Sequence, residues 1–68
     1  MKTYSKETFE HLVLLIRKDD DSDREWLLNN DNRELVEFFD AIEGMENSFK
    51  WLLDNNYRQL AAAVDGYN

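Results

Sequence analysis

One segment of this chain occurs twice. Trp26-Leu27-Leu28-Asn29-Asn30-Asp31-Asn32-Arg33-Glu34-Leu35 returns 25 residues later as Trp51-Leu52-Leu53-Asp54-Asn55-Asn56-Tyr57-Arg58-Gln59-Leu60. The copies share the Trp, both leucines after it, an Asn, the Arg and the closing Leu. Acid and amide exchange at one shape in Asn29/Asp54 and Glu34/Gln59. The correspondence runs on to Asp40 and Asp65. A fixed period of about 20–50 residues is the signature of stacked supersecondary units, each too small to bury its apolar face alone.

The apolar spacing says what each unit is made of. Leu35, Phe38, Phe39 and Ile42 follow the i, i+3, i+4, i+7 template of a buried helix stripe, and so do Leu60, Ala63, Val64 and Tyr67. A third stripe, Phe9, Leu12, Val13 and Ile16, precedes the repeated segment. The three stripes start 26 and then 25 residues apart, and the additional residue falls in the acidic run Asp19-Asp20-Asp21-Ser22-Asp23, where a loop absorbs it. No stretch alternates cleanly with period two. Proline is absent and only two glycines, Gly44 and Gly66, are present, too few for the tight turns of a β-rich domain. The chain is expected to be all-α.

Capping residues set the same phase. Ser5 stands as the cap of the first long helix, with Tyr4 and Phe9 as a hydrophobic staple. Ser22 and Glu25 form a capping box ahead of Trp26, while Asp31 with Glu34 and Asn56 with Gln59 stand as cap pairs for the later long helices. Gly44 stands where a helix C-terminus wants a residue free to adopt positive φ. The expected helices are 5–18, 23–29, 32–43, 45–55 and 57–65. Together they form a short helical-repeat, α-solenoid-like array. Residues 1–68 are expected to be a single domain of three units, about 5–21, 22–46 and 47–68.

The pattern Trp-Leu-x-x-Asn-x-x-x-x-Leu-x-x-x-x-Asp, at Trp26 to Asp40 and again at Trp51 to Asp65, resembles a group of uncharacterised bacterial α-helical repeat proteins. In their repeats a WL helix alternates with an L-A-x-x-x-D-A helix, often over more units than occur here. The resemblance spans Trp26 to Asn68. It implies a helical-repeat fold and carries no activity with it. Arg24 stands where the second copy has Phe49, so the first short helix has the thinner apolar face. The third copy stops just after Asp65, so the chain is expected to be part of a longer array or to end in a capping helix.

Ordering a chain of this size leaves little margin, and repeat arrays need about three units before nearest-neighbour stacking holds them. With two and a half units, an open array end is expected to seek a protein partner or a second copy. Within that frame, four residues are candidates for an interface. Trp26 and Trp51 recur at the repeat period and point away from their own leucines, toward packing between units or toward a partner. Leu14 sits where the later copies have Asp40 and Asp65, and Tyr67 closes the last stripe.

Little else suggests chemistry. Without Cys there is neither a disulfide nor a thiolate metal site. His11, the single histidine, is expected to face solvent opposite the Phe9 stripe, with no nucleophile or orienting group in a recognisable constellation. No G-x-S-x-G elbow or Gly-rich phosphate loop occurs. Asp19, Asp21 and Asp23 have calcium-loop spacing, but Arg24 and Asn30 occupy the positions that need Gly and a bidentate Glu. The sequence therefore points to no enzyme, cofactor or metal. Fifteen acidic against eight basic residues, a net charge of −7, oppose nucleic acid and anionic membranes. With no apolar h-region at the N-terminus and no run long enough to span a bilayer, a soluble cytoplasmic protein is expected. The first functional expectation is a protein–protein interaction or scaffold module. The alternative is an acidic decoy that occupies a basic nucleic-acid-binding protein, which requires the acids to form one continuous face.

Overall fold

A computed structural model describes residues 3–67, the side chain of Tyr67 excepted. Among them the chain forms five helices and no strand: α1 (Lys6–Lys18), α2 (Asp21–Asn29), α3 (Arg33–Ile42), α4 (Glu46–Asp54) and α5 (Arg58–Tyr67). Two compact units divide between Arg33 and Glu34, the first holding α1 and α2 and the second nearly all of α3 with α4 and α5.

In the first unit, Ser5 caps α1 as expected: its Oγ accepts the Thr8 N–H at 3.1 Å. The staple forms too, with Tyr4 edge-on to Phe9 at a centroid distance of 5.9 Å. Helix α1 ends on Asp19, left-handed at φ 50°, whose N–H returns to the Leu15 carbonyl at 2.8 Å. The start of α2 departs from expectation. Its cap is Asp20, not Ser22, and the carboxylate accepts both the Ser22 N–H and the Ser22 hydroxyl at 2.9 Å each. A charged acceptor near a helix N-terminus outcompetes a neutral hydroxyl.

Helix α1 buries a different face from the one its stripe suggests. Thr8 and Leu15 are buried and His11 and Leu12 half-buried, whereas Phe9, Val13 and Ile16 are exposed. Leu14 apart, the apolar residues of α1 cover an arc of roughly 160° by helical spacing, wider than one neighbour covers. Leu12 and Leu15 lie on one edge of that arc and Phe9, Val13 and Ile16 on the other. Periodicity identifies the arc; packing against α2 selects the edge.

The corners after α2 and α4 share one geometry. Asp31 and Asn56 are left-handed at φ 61° and 67°, and the next residue's N–H closes a bond to the carbonyl of Leu27 or Leu52, 2.8 Å in both cases. This is the 6→1 bond of a Schellman C-cap. Each corner is reinforced by an amide side chain: Asn30 Nδ2 donates to the Trp26 carbonyl at 2.8 Å and Asn55 Nδ2 to the Trp51 carbonyl at 2.9 Å. Asp31 and Asn56 thus supply the left-handed residues that end α2 and α4. Gly44 closes α3 in the same manner at φ 101°, with Met45 N–H bonded to Asp40 and its own N–H to Ala41.

The second unit packs around Ala41, Leu52, Ala61 and Val64, with Phe38, Ile42, Phe49, Trp51, Tyr57 and Leu60 against them. Most of the α3 stripe is thus inside as the spacing predicts. In α5 the buried alanine is Ala61, and Ala63 is exposed. Alanine is small enough for either position to satisfy the pattern, so contact with Leu52 and Val64 decides.

Leu27 and Leu52 are fully buried, while the leucines that follow them, Leu28 and Leu53, are exposed. Leu27→Ala and Leu52→Ala are therefore expected to cost about 2–5 kcal/mol each in urea denaturation. Leu28→Ala and Leu53→Ala are expected to stay within about 0.5 kcal/mol of the parent protein.

Candidate functional site

The most concentrated polar arrangement among the described residues is in the first unit. His11 Nδ1 donates to Asp23 Oδ1 at 2.7 Å, and the imidazole stacks on the Trp26 indole at 4.0 Å between centroids and 16° between planes. His11 retains a quarter of its side-chain exposure and Asp23 a tenth. His11 comes from the middle of α1, and Asp23 and Trp26, three residues apart, lie on one side of α2. The expectation that His11 faces solvent is overturned: the edge of α1 that is buried carries it inward, toward a carboxylate that needs a donor.

This pair has the form of a base and its orienting carboxylate. The neighbouring hydroxyls are committed elsewhere, Ser22 to Asp20 and Ser5 with Thr8 at 2.9 Å. What the arrangement does physically is fasten α1 to α2. The bond satisfies a buried carboxylate, and the stacked rings close the pair from one side. Its signal in the sequence was positional. His11 and Asp23 fall 26 and 25 residues before Glu37 and Ser48. Those two also bond across helices, Ser48 Oγ donating to Glu37 Oε1 at 2.8 Å.

The candidate interface residues fall in different settings. Trp26 is half-buried under His11. Trp51 is half-buried and stacks on Tyr57 at 5.7 Å and 9°, within the second core. The side chain of Tyr67 lies outside the described residues. Leu14 is exposed, next to the fully buried Leu15, which leaves it as one of four large apolar residues on the outward side of α1. Phe9, Val13, Leu14 and Ile16 keep 51%, 46%, 36% and 52% of their surface in solvent. A shallow concavity of about 430 Å³, lined by Lys6, Phe9, Glu10, Val13 and Leu14, runs along this side. Residue spacing pointed to Leu14 alone; its three companions were assigned to the core by the stripe.

No family model matches this chain. No curated protein and no solved structure matches it either.

A second hollow, about 550 Å³, lies beside the Gly44 corner in the second unit, lined by Met45, Phe49, Lys50, Val64 and Asp65 among others. Its polar lining mixes both charges. Several acids have defined internal tasks. Asp19 meets Arg24 at 3.4 Å, Asp20 caps α2, Asp23 holds His11 and Glu37 accepts from Ser48. Among the described residues no helix is long and apolar enough to cross a membrane, and no cluster of His and acids is placed to hold a metal ion.

Removing either member of the His11–Asp23 pair orphans the other. Asp23→Ala is expected to destabilise the protein by about 1–3 kcal/mol in chemical denaturation. His11→Phe, which keeps a ring on Trp26 but removes the donor, is expected to destabilise as well; unchanged stability would assign the fastening to stacking alone. Acid should loosen the α2 cap. Bonds from the Ser22 amide and hydroxyl hold the Asp20 carboxyl below its ordinary value of 3.8, with Lys18 adding a smaller pull and partial desolvation opposing. A depressed carboxyl stabilises the fold above its unfolded pKa and loses that contribution as pH falls through the folded value. Ser22 amide protection should therefore decrease below about pH 4. In Asp20→Asn, which caps without titrating, that loss should flatten.

Proposed function

We propose that this chain is a non-enzymatic helical-repeat module that works by protein–protein contact, as a soluble cytoplasmic protein. The observation that carries the interaction reading is the outward side of α1, where Phe9, Val13 and Ile16 form an uncovered strip and the exposed Leu14 borders the same shallow hollow as Phe9 and Val13. A contiguous apolar strip on so small a surface costs solubility unless it is used. The strip also lies on a regular helix with a formed cap, which makes it a rigid docking element.

The repeat part of the reading rests on local recurrence. Helices α2 and α4 are nine residues each and α3 and α5 ten, with starts 25 residues apart. The left-handed positions Asp19/Gly44 and Asp31/Asn56 keep the same interval. The likeness to bacterial WL-repeat proteins agrees with this.

The decoy reading is the weaker one, because phosphate mimicry needs free carboxylates on one continuous face. Asp20, Asp23 and Glu37 are committed to internal hydrogen bonds instead. A non-enzymatic role agrees with a His11–Asp23 pair for which Ser22, next to Asp23 in the chain, and Thr8, one turn before His11, are bonded elsewhere.

Immobilised protein used to capture partners from the source cell separates the readings. An apolar docking module is expected to retain its partner when salt rises from about 0.1 M to about 1 M, as the screening length falls from about 10 Å to about 3 Å. Leu14→Asp should release it without unfolding the chain. Release by salt alone, with Leu14→Asp unaffected, would establish the decoy instead.

A further inference from the structure

We propose that the outward side of α1 is a self-association surface, which a second copy of this chain covers by laying its own α1 antiparallel across it. This rests on the interaction-module reading and names its partner.

The outward positions Lys6, Phe9, Val13 and Ile16 are spaced three, four and three residues apart. That is the seam of a two-helix contact, in which each apolar knob enters a hole on the facing helix. Helix α1 is also the one helix of the five with more basic than acidic residues: Lys6, Arg17 and Lys18 against Glu7 and Glu10. Because the whole chain carries −7, everything outside α1 sums to −8. Most of this molecule's surface repels a second copy, and α1 is where that repulsion is weakest.

The charges beside the seam choose the orientation. Glu10 and Arg17 flank the strip on the same side, two turns apart. In a parallel pair the two-fold axis runs along the seam, so Glu10 and Arg17 of the two copies lie on opposite flanks and face positions 5 and 12 instead, with no charge to pair. In an antiparallel pair, Glu10 of each copy meets Arg17 of the other, and this happens twice by symmetry. The same register puts Val13 and Leu14 at the two-fold axis and brings Lys6 toward Asp20 and Asp21 of the other copy. Antiparallel helix dipoles favour it further.

The contact is short. Thirteen residues of helix are about 20 Å long. A face of that length is smaller than the roughly 800 Å² per partner of a stable interface, so the dimer is weak and its two copies exchange.

The test uses purified full chain in sedimentation equilibrium from about 10 µM to about 1 mM, the range in which contacts of this size associate. The parent protein should move from monomer toward dimer and stop there. Val13→Asp, on the exposed side, should raise the dissociation constant at least about tenfold, the effect of about 1.4 kcal/mol. Its helical circular dichroism and denaturation midpoint should remain. Glu10→Lys and Arg17→Glu should each weaken self-association, and an equimolar mixture of these two variants should associate better than either alone, since only the mixed dimer pairs both charges.

Three results overturn the proposal. They are a parent protein monomeric throughout the range, a dimer indifferent to Val13→Asp, and a mixture no better than its components. None of them touches the capture experiment above, which still decides whether the chain is an interaction module for a different protein.

Discussion

The backbone bond from each corner to the carbonyl of a buried leucine is the constraint on which the rest of this structure depends. Asn32 N–H meets Leu27 and Tyr57 N–H meets Leu52, both at 2.8 Å, and both leucines are completely enclosed. A carbonyl at a helix C-terminus has lost its intrahelical donor and must be satisfied locally. Here the same residue that fills the core with its side chain receives the chain reversal on its backbone. Corner and core are thereby coupled, and a chain with no proline and little glycine still turns sharply.

That solution has a conformational cost, since Asp19, Asp31 and Asn56 occupy the left-handed region without being glycine. Asp and Asn tolerate it better than other side chains because they hydrogen-bond locally. The Asn-rich segments after each Trp-Leu-Leu are explained in this way. One residue supplies the side-chain bond to the Trp carbonyl and the next supplies the left-handed turn. A segment that looks merely polar is a hinge of defined geometry.

Polar contacts between helices sit above these corners in a consistent pattern. His11 with Asp23 and Glu37 with Ser48 each join the middle of a long helix to the first turn of the following short one. The first pair adds the Trp26 stack, while Trp51 stacks on Tyr57 instead. Tyr57 occupies the position of Asn32 in the earlier segment, and the aromatic ring there draws the indole toward its own corner. Turning α1 so that His11 reaches Asp23 also rotates Phe9, Val13 and Ile16 outward. One internal hydrogen bond is thus linked to the exposed strip on which the functional reading rests.

Local interactions were legible from residues alone. The five helices, the Ser5 cap with its Tyr4–Phe9 staple, the Gly44 corner and most of the α3 stripe follow from spacing and side-chain chemistry, because each involves residues within a few positions of one another. The buried edge of α1, the inward His11 and the choice of Ala61 over Ala63 were decided only when helices met, whereas Asp20 replaced Ser22 as the cap of α2 through a local contact that the polar run left open. A wide apolar arc offers several solutions of similar local energy. Contact with another helix, and the need to pair a buried carboxylate, selects among them.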